Sequence, residues 1–206
     1  KLDKNLTPQE NAEKLFKRYA KLKKTVVATE PQIKETKEQI TYFESILSDI
    51  ERAETTEDFD DLTEELIVAS LIPAQKQRKN EKKKKSPFRN FCYEGFEISA
   101  GRNNVQNDRL VTEAERADIW LHTKNYHSSH VIIRTKGKKV PDNVLLFAAQ
   151  ICAYYSNAKS GDKIPVDYTL RKFVKKPAGA PLGKVYYTEQ KTLLVTPDPH
   201  TENEKR

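Results

Sequence analysis

A chain of 206 residues with 33% charged side chains, a formal net charge of +7 and a mean hydropathy of −0.80 suits one domain with an elongated polar appendage rather than a single compact globule. The charge favours nucleic acid as a partner, with other anionic surfaces behind it and a merely lysine-rich soluble protein as the bland alternative. No window holds the run of about 18 apolar residues that a membrane span needs.

The opening KLDKNLTPQE lacks the apolar centre of a secretion signal and an initiator methionine. The chain is therefore expected to be a piece of a longer, cytoplasmic protein. Thr7-Pro8 starts a helix, since Thr caps free amides and Pro suits the first helical position. Leu15, Tyr19, Leu22 and Val26 mark one face of it. A break, kink or turn is expected between Val26 and Pro31, where β-branched residues run into a proline.

Beyond it, Ile33, Ile40 and Leu47 form one row and Phe43 and Ile50 another. Both repeat every seven residues and lie three apart, which is the seam of a coiled coil. Glu30 to Ile50 would make a rod about 30 Å long. The seam needs a partner, and a returning helix with Phe59, Leu62, Leu66, Ile67 and Leu71 is the expected one, starting at Thr56. Part of the partner could also lie upstream of Lys1. Residues 1–73 are thus read as a coiled-coil arm, either a docking rod or a plain spacer.

Residues 74–89, AQKQRKNEKKKKSPFR, hold eight basic side chains and one acidic. With no core face in view, they read as a basic linker or a phosphate-binding strip. From residue 90 to 206 the composition is that of a folded α+β domain with a mainly antiparallel sheet. FCYEGFEISAG predicts a hairpin or bulged strand, and NNVQNDRLVTEAER a short helix presenting Val105, Leu110 and Val111. DIWLH alternates, so Asp118, Trp120 and His122 share one strand face. HVIIR is its antiparallel neighbour, which brings His130 near His122.

Pro141 opens a long core helix expected to stop at Gly161. Strands follow at Ile164 to Val174, Lys184 to Thr188 and Thr192 to Val195, the last two as a hairpin around Glu189-Gln190-Lys191. Cys92 and Cys152 sit in apolar runs without ligand spacing, so free buried thiols in a reducing compartment are expected, with no zinc site and no disulfide.

The candidate site spans Gly101 to Val131, where three of the four histidines and the only tryptophan fall. One cluster is Arg102, Asn103, Asn104, Gln106, Asn107 and Asp108. A second is Asp118, Trp120, His122, Ser129 and His130. Lys172, Lys175 and Lys176, in the Gly/Pro loop region KFVKKPAGAPLGK, add charge beside backbone that can approach phosphate closely. An RNA surface uses these types naturally: Trp120 stacks on a base, amides read edges or sugars, and Arg102 with the lysines holds phosphates.

Three other readings stay open. His122, His130 and a carboxylate could ligate a metal, though their spacing is not diagnostic. Asp108, Asp118, His122 and His130 suit proton transfer, but no nucleophile or oxyanion site accompanies them. In a purely structural reading the amides tie up turns, Asp118 fixes His122 or Arg102, and Trp120 is core. The residues favour a binding protein that is not an enzyme, with no metal and no cofactor.

GRNNVQND, DIWLHTKNYHSSHV, PVDYTLRKFVKKPAGAPLGKV and the final KTLLVTP closely resemble the C-terminal part of the NFACT family, the fibronectin-binding protein A / RqcH / NEMF group. The heptad arm resembles that family's middle coiled coil. By this resemblance the chain would bind the large ribosomal subunit and tRNA and support alanine tailing of stalled nascent chains. The alternative it implies is a fibronectin-binding adhesin and virulence factor at the cell surface, reached without a signal peptide. One departure stands out: Ser128 replaces the family's usual glycine, which puts the turn before Ser129-His130 in question.

Overall fold

The computed structural model describes residues 2–53, 55–73 and 86–205. The chain divides into two units, Lys1–Glu44 and Ser45–Arg206. Most of the basic linker, residues 74–85, lies outside the described residues.

The first unit is the greater part of helix α1, Pro8–Arg52. Its start matches the expectation. Thr7 Oγ1 accepts from the Glu10 amide at 3.3 Å while Glu10 accepts from the Thr7 amide at 2.7 Å, a reciprocal cap. Pro31 lies inside the helix, so the expected break is corrected. Proline removes one backbone hydrogen bond there without ending the helix. Two residues earlier, the Thr29 hydroxyl donates to the carbonyls of Thr25 and Val26, following the helical path.

The heptad rows are exposed, Ile33 at 54% and Ile40 at 50%. At the end of α1 the buried side chains are instead Ser45, Ile46 and Asp49. The returning helix exists as α2, Thr56–Val68, starting where expected, with Thr55 as its cap. Thr55 and Asp58 bond each other's amides in a capping box. A second correction concerns its partner: α2 packs against α3 of the sheet domain, burying Asp58, Leu62 and Glu65 while Phe59 and Leu71 stay exposed.

The sheet domain is α+β as expected. Strands β1 (Arg89–Tyr93) and β2 (Phe96–Ala100) form the predicted hairpin, turning through Glu94 and Gly95, both at positive φ. Helix α3 (Asn104–Glu113), β3 (Ile119–Thr123) and β4 (Val131–Arg134) follow, with β3 and β4 antiparallel. Helix α4 runs Asp142–Tyr154 and ends well before Gly161. There the chain turns so that Ser156 bridges Ser128, which the alternation of apolar residues alone does not reveal.

The strand expected from Ile164 to Val174 is split. β5 (Ile164–Leu170) enters the sheet, a 3-10 turn spans Arg171–Phe173, and β6 (Val174–Lys175) leaves it. β7 (Tyr186–Tyr187) pairs with β6 as a separate ribbon, and β8 (Lys191–Val195) pairs with β5. The expected β7–β8 hairpin is therefore corrected. A short β9 (Glu204–Lys205) from the tail pairs with β1. The seven-stranded sheet has the order β8-β5-β3-β4-β2-β1-β9, with antiparallel neighbours throughout.

The two faces of this sheet differ. One carries the main core, where Ile98, Leu121, Val131 and Ile133 meet Val144, Phe147, Ala148 and Ile151 of α4. The other carries a small core in which Trp120 and Ile132 meet Leu110 and Val111 of α3 and Val174 of the ribbon.

Candidate nucleic-acid interface

The first polar cluster is spent inside the protein. Asn103 caps α3 by accepting from the Gln106 amide at 2.9 Å, and donates to Asp61 at 3.2 Å. Asn104 gives its backbone amide to Asp49 at 3.1 Å and its side-chain amide to Ser45 at 2.9 Å and Glu65 at 3.0 Å. Gln106 donates to Ser86 and Asp61 and accepts from the Arg102 amide. Arg102 faces Asp58 at 3.4 Å. Asn107 Oδ1 accepts from the His130 backbone amide at 2.9 Å, closing the start of β4 onto α3.

Gly101 is required for that closeness, since a Cβ there would lie 2.2 Å from Asn107 Oδ1. The expectation that these amides read RNA is thus corrected. All four are buried, and their bonding capacity holds α2 and the end of α1 against the sheet. Asp108, which like Arg102 is only partly buried, binds protein too. It ion-pairs with Lys176 and accepts the Gly183 amide at 3.0 Å.

The second cluster is equally internal. Asp118 is buried, accepting from the Glu115 and Thr135 amides at 2.9 Å each and facing Arg134 at 3.3 Å, so it fixes neither His122 nor Arg102. Trp120 has 0% exposure, so it is not a base-stacking surface. Its ring lies parallel to His122 at 5.7 Å and edge-on to His130 at 5.4 Å, and Tyr187 covers it at 4.7 Å. Strand alternation put these rings on one face, as expected, but α3 and the ribbon lie over that face.

Burial, and secondarily the neighbouring His127, pushes His122 down to about 4. Burial holds His130 well below the ordinary imidazole range too. Both are neutral at physiological pH. Ser129 is buried, donating its amide to the Tyr155 carbonyl at 3.0 Å. Ser128 does not need glycine's freedom, because the left-handed position in this turn is Asn125 at φ 64°. Its hydroxyl accepts the Thr123 amide at 3.2 Å.

The outward-facing chemistry lies on the β6–β7 ribbon. Its register sets Val174 opposite Tyr187 and Lys175 opposite Tyr186. Residues directly opposite in an antiparallel ladder share a face. Val174 and Tyr187 face inward onto the Trp120 core, so Lys175 and Tyr186 face outward, Tyr186 at 58% exposure. Tyr187 is pinned, donating to Asp167 at 3.0 Å, and Asp167 also accepts from Thr192 at 2.5 Å. Burial and the Asp167 carboxylate push Tyr187 up to about 12, so it stays a donor.

Lys184 Nζ lies 5.9 Å from the Tyr186 ring centroid, and Lys172 Nζ lies 4.9 Å from that of Phe173 at the ribbon's entry. The Gly/Pro loop between the strands is tied down by Asp108. At Gly183, at φ +76°, a Cβ would meet Asn104 Oδ1 at 2.4 Å. Of the expected lysines, Lys172 and Lys175 are thus exposed near this ribbon, while Lys176 is engaged by Asp108. Lys184 belongs to the lysine-bearing Gly/Pro loop read from the sequence, whereas Tyr186, Tyr187 and Asp167 are parts of this surface and its support that motif and spacing do not single out. A signal for them exists nonetheless, because adjacent tyrosines in a strand must point to opposite faces.

Two family models match the chain: residues 1–85 match the NFACT N-terminal and middle domains, and residues 88–189 match the NFACT protein RNA binding domain. Among curated proteins, the chain is 41% identical over 206 residues to the Rqc2 homolog RqcH of Bacillus subtilis, covering 97% of this chain and 35% of that protein. It is 40% identical over 199 residues to the Rqc2 homolog RqcH of Streptococcus pneumoniae, covering 96% of this chain and 36% of that protein. The chain thus spans about a third of the length of these relatives.

Among solved structures, it resembles the C-terminal part of the fibronectin/fibrinogen-binding protein from Streptococcus suis. The TM-score is 0.82 and the identity 35%, over 98% of this chain and 82% of that one. The arm, the sheet domain and the cationic ribbon together are those of a member of the NFACT family, to which this chain belongs.

Proposed function

We propose that this chain is the RNA- and ribosome-contacting portion of a quality-control factor that acts on stalled nascent chains at the large ribosomal subunit. It works by binding, without catalysis of its own, in the cytoplasm. The observation that carries the reading is the outward face of the β6–β7 ribbon. There Lys175, with Lys172 and Lys184 close in the chain, sits within the stretch matched by the family's RNA-binding domain. Ammonium groups on a fixed ribbon neutralise phosphates without needing a sequence. Binding of tRNA and a part in alanine tailing are what the resemblance to the RqcH group implies, and relatives named Rqc2 homolog RqcH match the chain.

The name of the Streptococcus suis relative favours a second reading, fibronectin binding. The two separate in one experiment: titration of the chain against tRNA, large ribosomal subunits and fibronectin over a range of salt. RNA affinity should fall steeply with salt. The double replacement Lys172→Glu/Lys175→Glu should weaken it and flatten the slope by about 1 for each phosphate that is no longer neutralised. Binding to fibronectin alone, indifferent to those replacements, would reject the RNA reading.

A further inference from the structure

The ribbon's construction points beyond phosphate binding. Its inward residues are heavily restrained: Tyr187 lies on Trp120 and donates to Asp167, and the loop is anchored to Asp108 through Lys176 and Gly183. These restraints oblige the neighbouring residue in the strand, Tyr186, to present its ring to solvent. It is exposed in the company of Lys175 across the ladder and Lys184 near its ring centroid. Exposing an aromatic side chain costs the fold apolar burial. Here the surroundings over-determine that exposure, whereas a tyrosine on a loose loop would be free to fold back.

An aromatic ring on a rigid support, flanked by cations, fits an unpaired nucleobase whose own phosphates meet the lysines. It does not fit duplex RNA, whose bases are stacked on each other and whose deep groove excludes side chains.

We propose that Tyr186 is a stacking platform for an unpaired base, with Lys175 and Lys184 holding the adjoining phosphates, so that the domain selects single-stranded or splayed RNA. This deepens the RNA-binding reading and rests on it. Trp120, which the sequence casts as the stacking ring, serves as the support beneath Tyr187.

The test measures the full 206-residue chain against a short single-stranded RNA and against the same RNA annealed into a duplex. Tyr186→Ala should weaken single-strand binding roughly ten- to a hundredfold, the range that stacking one base supplies. It should leave the salt slope and the duplex affinity unchanged. Tyr186→Phe, which keeps the ring, should bind as the parent does, and equal thermal stability of all three proteins serves as the folding control.

Parent-like binding by Tyr186→Ala overturns the platform, as does an equal loss towards duplex. In either case salt-dependent RNA binding would still stand. Absence of salt-dependent RNA binding in the parent chain overturns both this inference and the reading beneath it.

Discussion

Among individual residues, Trp120 is a structural support. Truncation to Ala removes the ring on which Tyr187, His122 and His130 pack, and should cost about 3–5 kcal/mol in a urea unfolding experiment. Its emission should be that of a buried indole and shift to the red on unfolding. A native spectrum already typical of solvated tryptophan would refute the burial. The imidazoles make a pH prediction of definite sign. His122 is lowered to about 4, and His130 is also lowered, whereas the unfolded chain binds protons near the ordinary 6.5. Below 6.5 the unfolded state therefore binds more protons, and stability falls as pH drops towards 4. From His122 alone the loss by pH 4 is on the order of 3 kcal/mol. Melting temperature against pH checks this, and His122→Gln should flatten the profile.

Among the secondary-structure elements, α3 acts as a bracket. Its amides grip Ser45, Asp49, Asp61 and Glu65 on one side and β4 on another, while Asp108 holds the ribbon loop. Asn104→Ala takes a buried donor from Ser45 and Glu65 and should cost about 1–3 kcal/mol. The loss should appear first as faster amide exchange in α2, while the exchange of β3 and β5 stays slow. The cluster GRNNVQND was legible as a built polar site, but its purpose was not. The side chains that bond Asn104 lie 39 to 59 residues earlier in the chain, beyond any local pattern. Pro31 misled in the opposite way, because a local helix breaker was outvoted by the helix formers around it. The β7–β8 hairpin failed because the stretch from Lys184 to Val195 alternates well enough for one hairpin, yet Tyr187 is drawn to Trp120 and Asp167.

For the molecule in its entirety, fold class, first hairpin and core helix were readable because period-2 and period-3.6 patterns report burial directly, while the family was readable only through the resemblance carried by motifs such as GRNNVQND and DIWLHTKNYHSSHV. The outward face was misplaced for the same reason. Alternation groups Asp118, Trp120 and His122 on one strand face but cannot say that another layer covers it. With that layer in place, the basic charge of the chain has a well-supported aromatic outlet in the ribbon carrying Lys175 and Tyr186. RNA should therefore meet the ribbon and not the histidine-tryptophan face. Photo-crosslinking of a 4-thiouridine-containing single-stranded RNA to the chain, followed by mapping of the attached peptides, decides between the two surfaces. Crosslinks within residues 172–187 that salt suppresses are the expected result. Crosslinks confined to residues 102–130, with the ribbon untouched, would overturn it.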